Sequence, residues 1–291
     1  MFIKSRVLSV TRGFITFSPY TGRTAITVGA LFCLGMAASC AQAKAPAPAK
    51  VIRRFRAAEA SQGVAVDGRF FYAIGDAAIG KYEKLTGRRT GGWRGDSGGP
   101  ITHLDSGVVI GHELYCAHSN YPVTPMVSSI EVFDTDQMTH IRSLPLPSGL
   151  GSATWVDYGD GSWWVTFAHY SGKGGEPGKG SEATTLVRFT DAWRRQEAWS
   201  FPADVISRWG KMSSSGGVLA APRMFYTTGH DAPELYVLEV PSAGHELILR
   251  AIIRIESEGQ GIAIDRTEGL LYSIQRRTGE VIASVLPEIV R

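Results

Sequence analysis

The sequence predicts an all-β protein built as a five-bladed β-propeller. Three observations carry this. One strand–turn–strand pattern recurs five times, further strands follow most copies, and a spare strand near the start complements a strand missing at the end.

The first copy is Gly63-Val64-Ala65-Val66-Asp67 followed by Phe70-Phe71-Tyr72-Ala73-Ile74, and the second is Gly107-Val108-Val109-Ile110 followed by Leu114-Tyr115-Cys116-Ala117. The third pairs Thr154-Trp155-Val156-Asp157 with Trp163-Trp164-Val165-Thr166-Phe167. Gly217-Val218-Leu219-Ala220 with Met224-Phe225-Tyr226-Thr227, then Gly261-Ile262-Ala263-Ile264-Asp265 with Leu270-Leu271-Tyr272-Ser273-Ile274, complete the set. Segments such as Ser129–Phe133, Thr185–Phe189 and Glu234–Leu238 supply third strands, and turn signals such as Leu85-Thr86-Gly87 separate them. After Val281-Ile282-Ala283-Ser284-Val285 the fifth blade lacks its outer strand, while Val51–Arg56 has no blade of its own. Pairing the two closes the ring and removes an exposed edge. The competing architecture is a sandwich with coincidental repetition. Residues 171–183, rich in Gly and Lys, are expected to be a mobile loop, and 203–212 a short helix.

Ahead of the ring lies a secretory leader over residues 1–43. Lys4, Arg6, Arg12 and Arg23 precede the apolar run Ala25–Ala38, and Ala41-Gln42-Ala43 supplies a small-x-small cleavage pattern. The run is short for a membrane span, and lipidation at Cys40 is the rival reading. Residues 44–50 form a Pro/Ala linker, and 51–291 form the propeller domain. A periplasmic or secreted, monomeric protein follows, without a membrane partner unless Cys40 is acylated. The net charge is +3, but without the four leader bases 26 bases face 27 acids. That balance argues against nucleic acid as a partner. Cys33 and Cys40 fall in the leader, so Cys116 has no partner for a disulfide and reads as a small core residue.

In a propeller, the starts of the innermost strands and the ends of the second strands gather around one mouth of the central channel. Three of the seven histidines, His118, His169 and His230, fall at equivalent second-strand ends. A shared centre would suit a divalent ion such as zinc, manganese or calcium. Direct hydrogen bonding of a ligand by neutral imidazoles, and local capping of each strand end, are the alternatives. His103, Asp105 and Asp231 are candidate acid–base groups, and Arg276 a candidate anion clamp. Gln62, Gln260, Asn120 and Tyr170 are candidate substrate contacts. Trp163-Trp164 places neighbours on opposite faces, so one could be exposed to stack on a sugar. Gly95-Asp96-Ser97-Gly98-Gly99-Pro100 matches the nucleophile signature of trypsin-like proteases, but no histidine precedes Ser97 to act as base. It reads as a loop between blades.

The stretches Leu114–Pro122, Thr228–Tyr236 and Gly259–Ala263 resemble secreted bacterial propeller proteins labelled cycloisomerases, by analogy with propeller lactonizing enzymes. The resemblance covers essentially the whole mature chain and implies lyase or cycloisomerase chemistry. Some propeller lyases place a His-rich metal site at the mouth, which the register of His118, His169 and His230 resembles. The expected function is an exported enzyme of lyase, cycloisomerase or hydrolase type acting on a small polar or anionic substrate. A non-catalytic propeller binding a small molecule or sugar is the alternative, and a protein-interaction scaffold the third.

Overall fold

The computed structural model describes residues 46–288. The leader and its cleavage pattern lie outside the described residues. Among these residues the chain forms five four-stranded antiparallel sheets arranged as a five-bladed β-propeller.

Strand β1 (Lys50–Arg56) opens the chain. Blade 1 follows as β2 (Gly63–Val66), β3 (Phe70–Gly75), β4 (Ala78–Glu83) and β5 (Arg89–Arg94). Blade 2 comprises β6 (Leu104–Ile110), β7 (Glu113–Ser119), β8 (Ser128–Asp134) and β9 (Thr139–Pro145). Blade 3 comprises β10 (Ser152–Gly159), β11 (Ser162–Ala168), β12 (Thr185–Thr190) and β13 (Arg195–Ser200). A short helix, α1 (Ala203–Trp209), precedes blade 4, which is β14 (Gly216–Ala221), β15 (Met224–Thr228), β16 (Glu234–Glu239) and β17 (Ile248–Arg254). Blade 5 is β18 (Ile262–Asp265), β19 (Leu270–Gln275) and β20 (Glu280–Val285), completed by β1. The closing pair is antiparallel, with Lys50 opposite Val285 and Arg56 opposite Glu280. The first and last strands of the fold therefore cover each other's edge.

The apolar runs that marked the repeats are the buried inner strands. β11 is buried at every residue, whereas the outer strand β9 alternates between exposed and half-buried positions. Between blades 3 and 4, Trp155, Trp164, Trp199 and Trp209 pack with Phe201 and Phe225. Trp163 and Trp164 are both buried, so neither offers an open shelf. Trp163 instead stacks on Trp193, with ring centroids 4.5 Å apart. Cys116 is fully buried beside Ile74, Leu104 and Leu114, and burial pushes its thiol pKa up, as fits an inert core thiol.

Glycines at the start of the inner strands let the blades meet at the axis. A Cβ at Gly261 would come 2.5 Å from the Cα of Gly63 and 2.5 Å from Ser106 Oγ, so blades 5, 1 and 2 converge there. One at Gly216 would come 2.3 Å from the carbonyl oxygen of Gln260. The channel is pinched at this level, and separate hollows lie on either side. The hollow away from the mouth holds about 180 Å³ and is lined by Val66, Val156, Val218 and Ile264, with Asp157 and Arg266 among its polar residues.

The loop expected over 171–183 is tied down. Glu176 accepts the Met126 backbone N–H at 2.9 Å and pairs with Lys179, and Ser181–Ala183 forms a 3-10 turn. The Gly95–Pro100 segment is a turn between β5 and β6, with Gly98 at φ 75° and the Gly99 N–H donating to the Asp96 carbonyl.

Candidate site at the channel mouth

A small cavity of about 80 Å³ sits at the mouth. Gln62, His103, Asp105, Tyr170, His230 and Gln260, all singled out from the sequence, line it together with Tyr121, Met212 and Ser215. The rule that inner-strand starts and second-strand ends converge thus holds for six of the sequence-derived residues.

Asp105 is placed by an irregularity in blade 2. The β6–β7 register breaks between Leu104 and Gly107, which leaves Asp105 and Ser106 outside the regular pairing. Such a break re-aims side chains that regular alternation would turn elsewhere. The Asp105 side chain is 5% exposed, and its Oδ1 has no hydrogen-bond partner. Burial, with the nearby Asp76 charge adding to it, pushes its pKa well above the usual carboxylate range.

His103 faces this carboxyl. Its Nε2 lies 4.0 Å from Asp105 Oδ2, and its Nδ1 lies 2.8 Å from Asp76 Oδ1. Gln62 Nε2 donates to the same Asp76 oxygen at 2.7 Å. The His103 hydrogen bond pulls the Asp76 pKa down, with Gln62 assisting against partial burial. Asp76 therefore orients the imidazole as an ionised carboxylate. Tyr121 packs on the His103 ring at 4.9 Å and meets Tyr170 edge-on at 4.9 Å, so the imidazole has an aromatic wall. Asp76 follows the second strand of blade 1 as His169 and His230 do in blades 3 and 4, so its position was visible in the sequence. Tyr121 and Met212 carried no such signal, because the loops that bring them in have no place in the repeat.

The three histidines expected to form a metal centre are not brought together. His118 Nδ1 lies 2.9 Å from Ser129 Oγ, and its Nε2 accepts the Thr102 backbone N–H at 3.3 Å. Since Ser129 Oγ donates to Glu131, it accepts from His118 Nδ1–H, and both imidazole nitrogens are occupied. Burial lowers the His118 pKa, which keeps the ring neutral. His169 is buried beside Leu150 and Glu176, 3.7 Å from the latter, and burial lowers its pKa as well. His230 reaches the mouth, but its Nδ1 lies 2.8 Å from Asp231 Oδ2 and its Nε2 3.0 Å from Arg276 Nη1. No lone pair is left to donate to a metal. Among the described residues no group of three His, Cys, Asp or Glu side chains is poised to hold an ion. Local structural bonding, the alternative weighed for each histidine singly, describes all three.

Other candidates are engaged elsewhere. Arg276 Nη2 donates to Asp231 Oδ1 at 2.8 Å, so this pair braces His230 at the rim and neither member lines the cavity. Asn120 donates to the Pro125 carbonyl and accepts from the Val127 N–H, which closes the loop 120–127. Gln260, with φ 68°, donates to the His230 carbonyl at 3.1 Å and holds the blade 4–blade 5 junction.

No family model matches the chain, and no curated protein matches it. Among solved structures it is similar to the glutaminyl cyclase of Myxococcus xanthus, with a TM-score of 0.56 and 12% identity over 85% of this chain and 100% of that one. It is also similar to U3-55K, with a TM-score of 0.48 and 11% identity over 83% of this chain and 100% of that one. A structure of the mitotic checkpoint complex matches with a TM-score of 0.46 and 8% identity, over 90% and 99% of the two chains. At these identities the likeness is one of fold alone.

Proposed function

We propose that this protein is an exported propeller enzyme that moves protons on a small polar substrate held at the channel mouth, in a reaction of lyase, cycloisomerase or hydrolase type. The observation that carries the proposal is the pairing of His103 with Asp105. One is an imidazole oriented by an ionised carboxylate, the other a buried carboxyl biased towards its protonated form, 4.0 Å apart. An oriented imidazole beside a carboxyl that keeps its proton supplies a proton acceptor and a proton donor at one place, as acid–base catalysis requires. His103 serves as base and Asp105 as acid, and Tyr121 and Tyr170 exclude water from one side. Export is supported by the leader composition.

The cavity admits only a few heavy atoms, so it takes the reacting end of a molecule and leaves the rest in the open mouth. Arg276 is committed to Asp231 and His230, so the lining favours a polar, uncharged end over an anionic one. The similar fold of the Myxococcus xanthus glutaminyl cyclase belongs to an enzyme whose name denotes ring closure, a reaction of the class proposed here. Its role is to suggest one assay among three. N-terminal glutaminyl peptides, sugar-acid lactones and oligouronides form the substrate panel. Wild-type protein is expected to convert one class, and His103→Gln and Asp105→Asn each to lower kcat by about 10²- to 10⁴-fold without lowering the melting temperature. Binding without turnover across the panel, or turnover indifferent to both variants, would establish a non-catalytic propeller instead.

A further inference from the structure

The segment Ile101-Thr102-His103 leads into the mouth without belonging to any strand. A line of hydrogen-bonded side chains crosses blade 2 to reach it. At its centre is Glu131 on β8, with a side chain 3% exposed and both oxygens engaged. Its Oε2 accepts from His140 Nε2–H at 2.8 Å and from Ser143 Oγ–H at 2.5 Å, both on β9. Its Oε1 accepts from Ser129 Oγ–H at 2.5 Å. Ser129 Oγ accepts His118 Nδ1–H at 2.9 Å, and His118 Nε2 accepts the Thr102 N–H at 3.3 Å.

Every donor between Thr102 and Glu131 points the same way. A hydroxyl has one proton, and that of Ser129 goes to the carboxylate, so Ser129 can only accept from His118. This fixes the His118 proton on Nδ1 and leaves Nε2 bare for Thr102. In the other tautomer two N–H groups would face each other. Bonds aligned head to tail also polarise one another. Blades 1 and 4 fasten the entry to the inner strand with backbone alone: Gln62 N–H donates to the Ile74 carbonyl at 2.9 Å, and Ser215 N–H to the Thr228 carbonyl at 3.1 Å. Blade 2 instead buries a carboxylate to present an oriented imidazole there. Burial of a charge is costly, and tethering an exposed threonine does not account for it. The residue after that threonine is His103.

We propose that Glu131, Ser129 and His118 are positioning residues for His103, fixing the backbone before it so that its ring meets Asp76 in a single tautomer. Asp76 grips the ring at 2.8 Å, and His118 grips the chain one residue earlier. Held from both sides, His103 carries its proton on Nδ1 and keeps Nε2 bare beside Asp105. His118 does not line the cavity, so it acts through His103. The inference rests on the reading of His103 as the base at the mouth.

The test is NMR of protein with isotopically labelled histidine nitrogens, at a pH where the rings are neutral, with His103→Gln identifying the His103 resonances. Wild-type His103 is expected to carry its proton on Nδ1 alone. His118→Phe, which keeps a ring but removes both nitrogens, is expected to spread the His103 proton over both of its nitrogens. Ser129→Ala, a milder change that frees the His118 tautomer, is expected to do so in part, and it decides the matter if His118→Phe does not fold. His118→Gln, whose Oε1 can stand where Nε2 stood, is expected to keep the wild-type signature. On a substrate that is turned over, His118→Phe is expected to lower kcat about 10- to 100-fold with KM held, and His118→Gln to restore it. Mixed tautomers of His103 in the wild type, unchanged His103 resonances in both His118→Phe and Ser129→Ala, or an equal disturbance in His118→Gln would each overturn the proposal. The resonances are read without substrate, so absence of turnover would count against the enzyme reading while the resonances still judge the relay.

Discussion

A carboxyl group with an unpartnered oxygen is expensive to keep ionised inside a fold, and Asp105 is held in that position. Its pKa is raised on folding, so the folded state binds its proton more tightly than the unfolded chain does. The contribution of Asp105 to stability is therefore greatest below the unfolded carboxylate pKa and is lost as pH rises through the folded one. Asp105→Asn is accordingly expected to melt higher than wild type at pH 7, with the difference shrinking towards pH 4. Paired thermal melts across that range measure it, and a difference that grows on acidification would contradict the burial argument. Gain of stability with loss of turnover in one variant is the signature of a group kept for function. The sequence showed that His103 and Asp105 would reach the mouth, because height on a blade follows from register. It did not show where His118 and His169 would point. Register sets how far along a strand a residue lies, but local donors such as the Thr102 N–H decide which neighbours its ring meets.

Strands and turns carry most of the pattern that was readable. The inner strands announced themselves because burial on both faces demands unbroken apolar runs. The glycines that begin them had a second meaning, visible only in three dimensions. At Gly261 an added methyl would press on the Gly63 backbone, and backbone cannot swing aside as a side chain can. Gly261→Ala is expected to cost about 1–3 kcal/mol or more, the range for overpacking, whereas Gly68→Ala, whose Cβ meets nothing within 4 Å, costs less than 1 kcal/mol. Urea denaturation of the two variants makes the comparison. The turn after β4 is fastened to the end of β18 by the buried pair Lys84–Asp265, with side chains 4% and 2% exposed. Lys84→Met would leave Asp265 buried without its counter-charge. The expected loss is about 3–5 kcal/mol, measurable by the same denaturation. No local pattern in the sequence pointed to this pair, because its members lie 181 positions apart.

At the level of the whole ring, closure depends on a strand taken from the far end of the chain. β1 supplies the outer edge of blade 5 and has no role in blade 1. Removing residues 51–57 would expose β20 as an open edge and leave Val281 and Ile282 short of cover. The truncated protein is expected to be insoluble or to elute as aggregate in size-exclusion chromatography, and a normal melting curve would contradict closure by this strand. The spare strand and the incomplete last blade were legible together because a ring requires the two to match. The loops 120–127 and 171–180 were not, since they belong to no repeat, yet they supply Tyr121 and the Glu176 anchor. The pinch at Gly63, Ser106, Gly216 and Gly261 makes the mouth a cup with a floor. Anything that enters must leave by the same doorway, so if the proposed catalysis holds, accumulated product would compete with fresh substrate for entry and turnover would slow as product builds up.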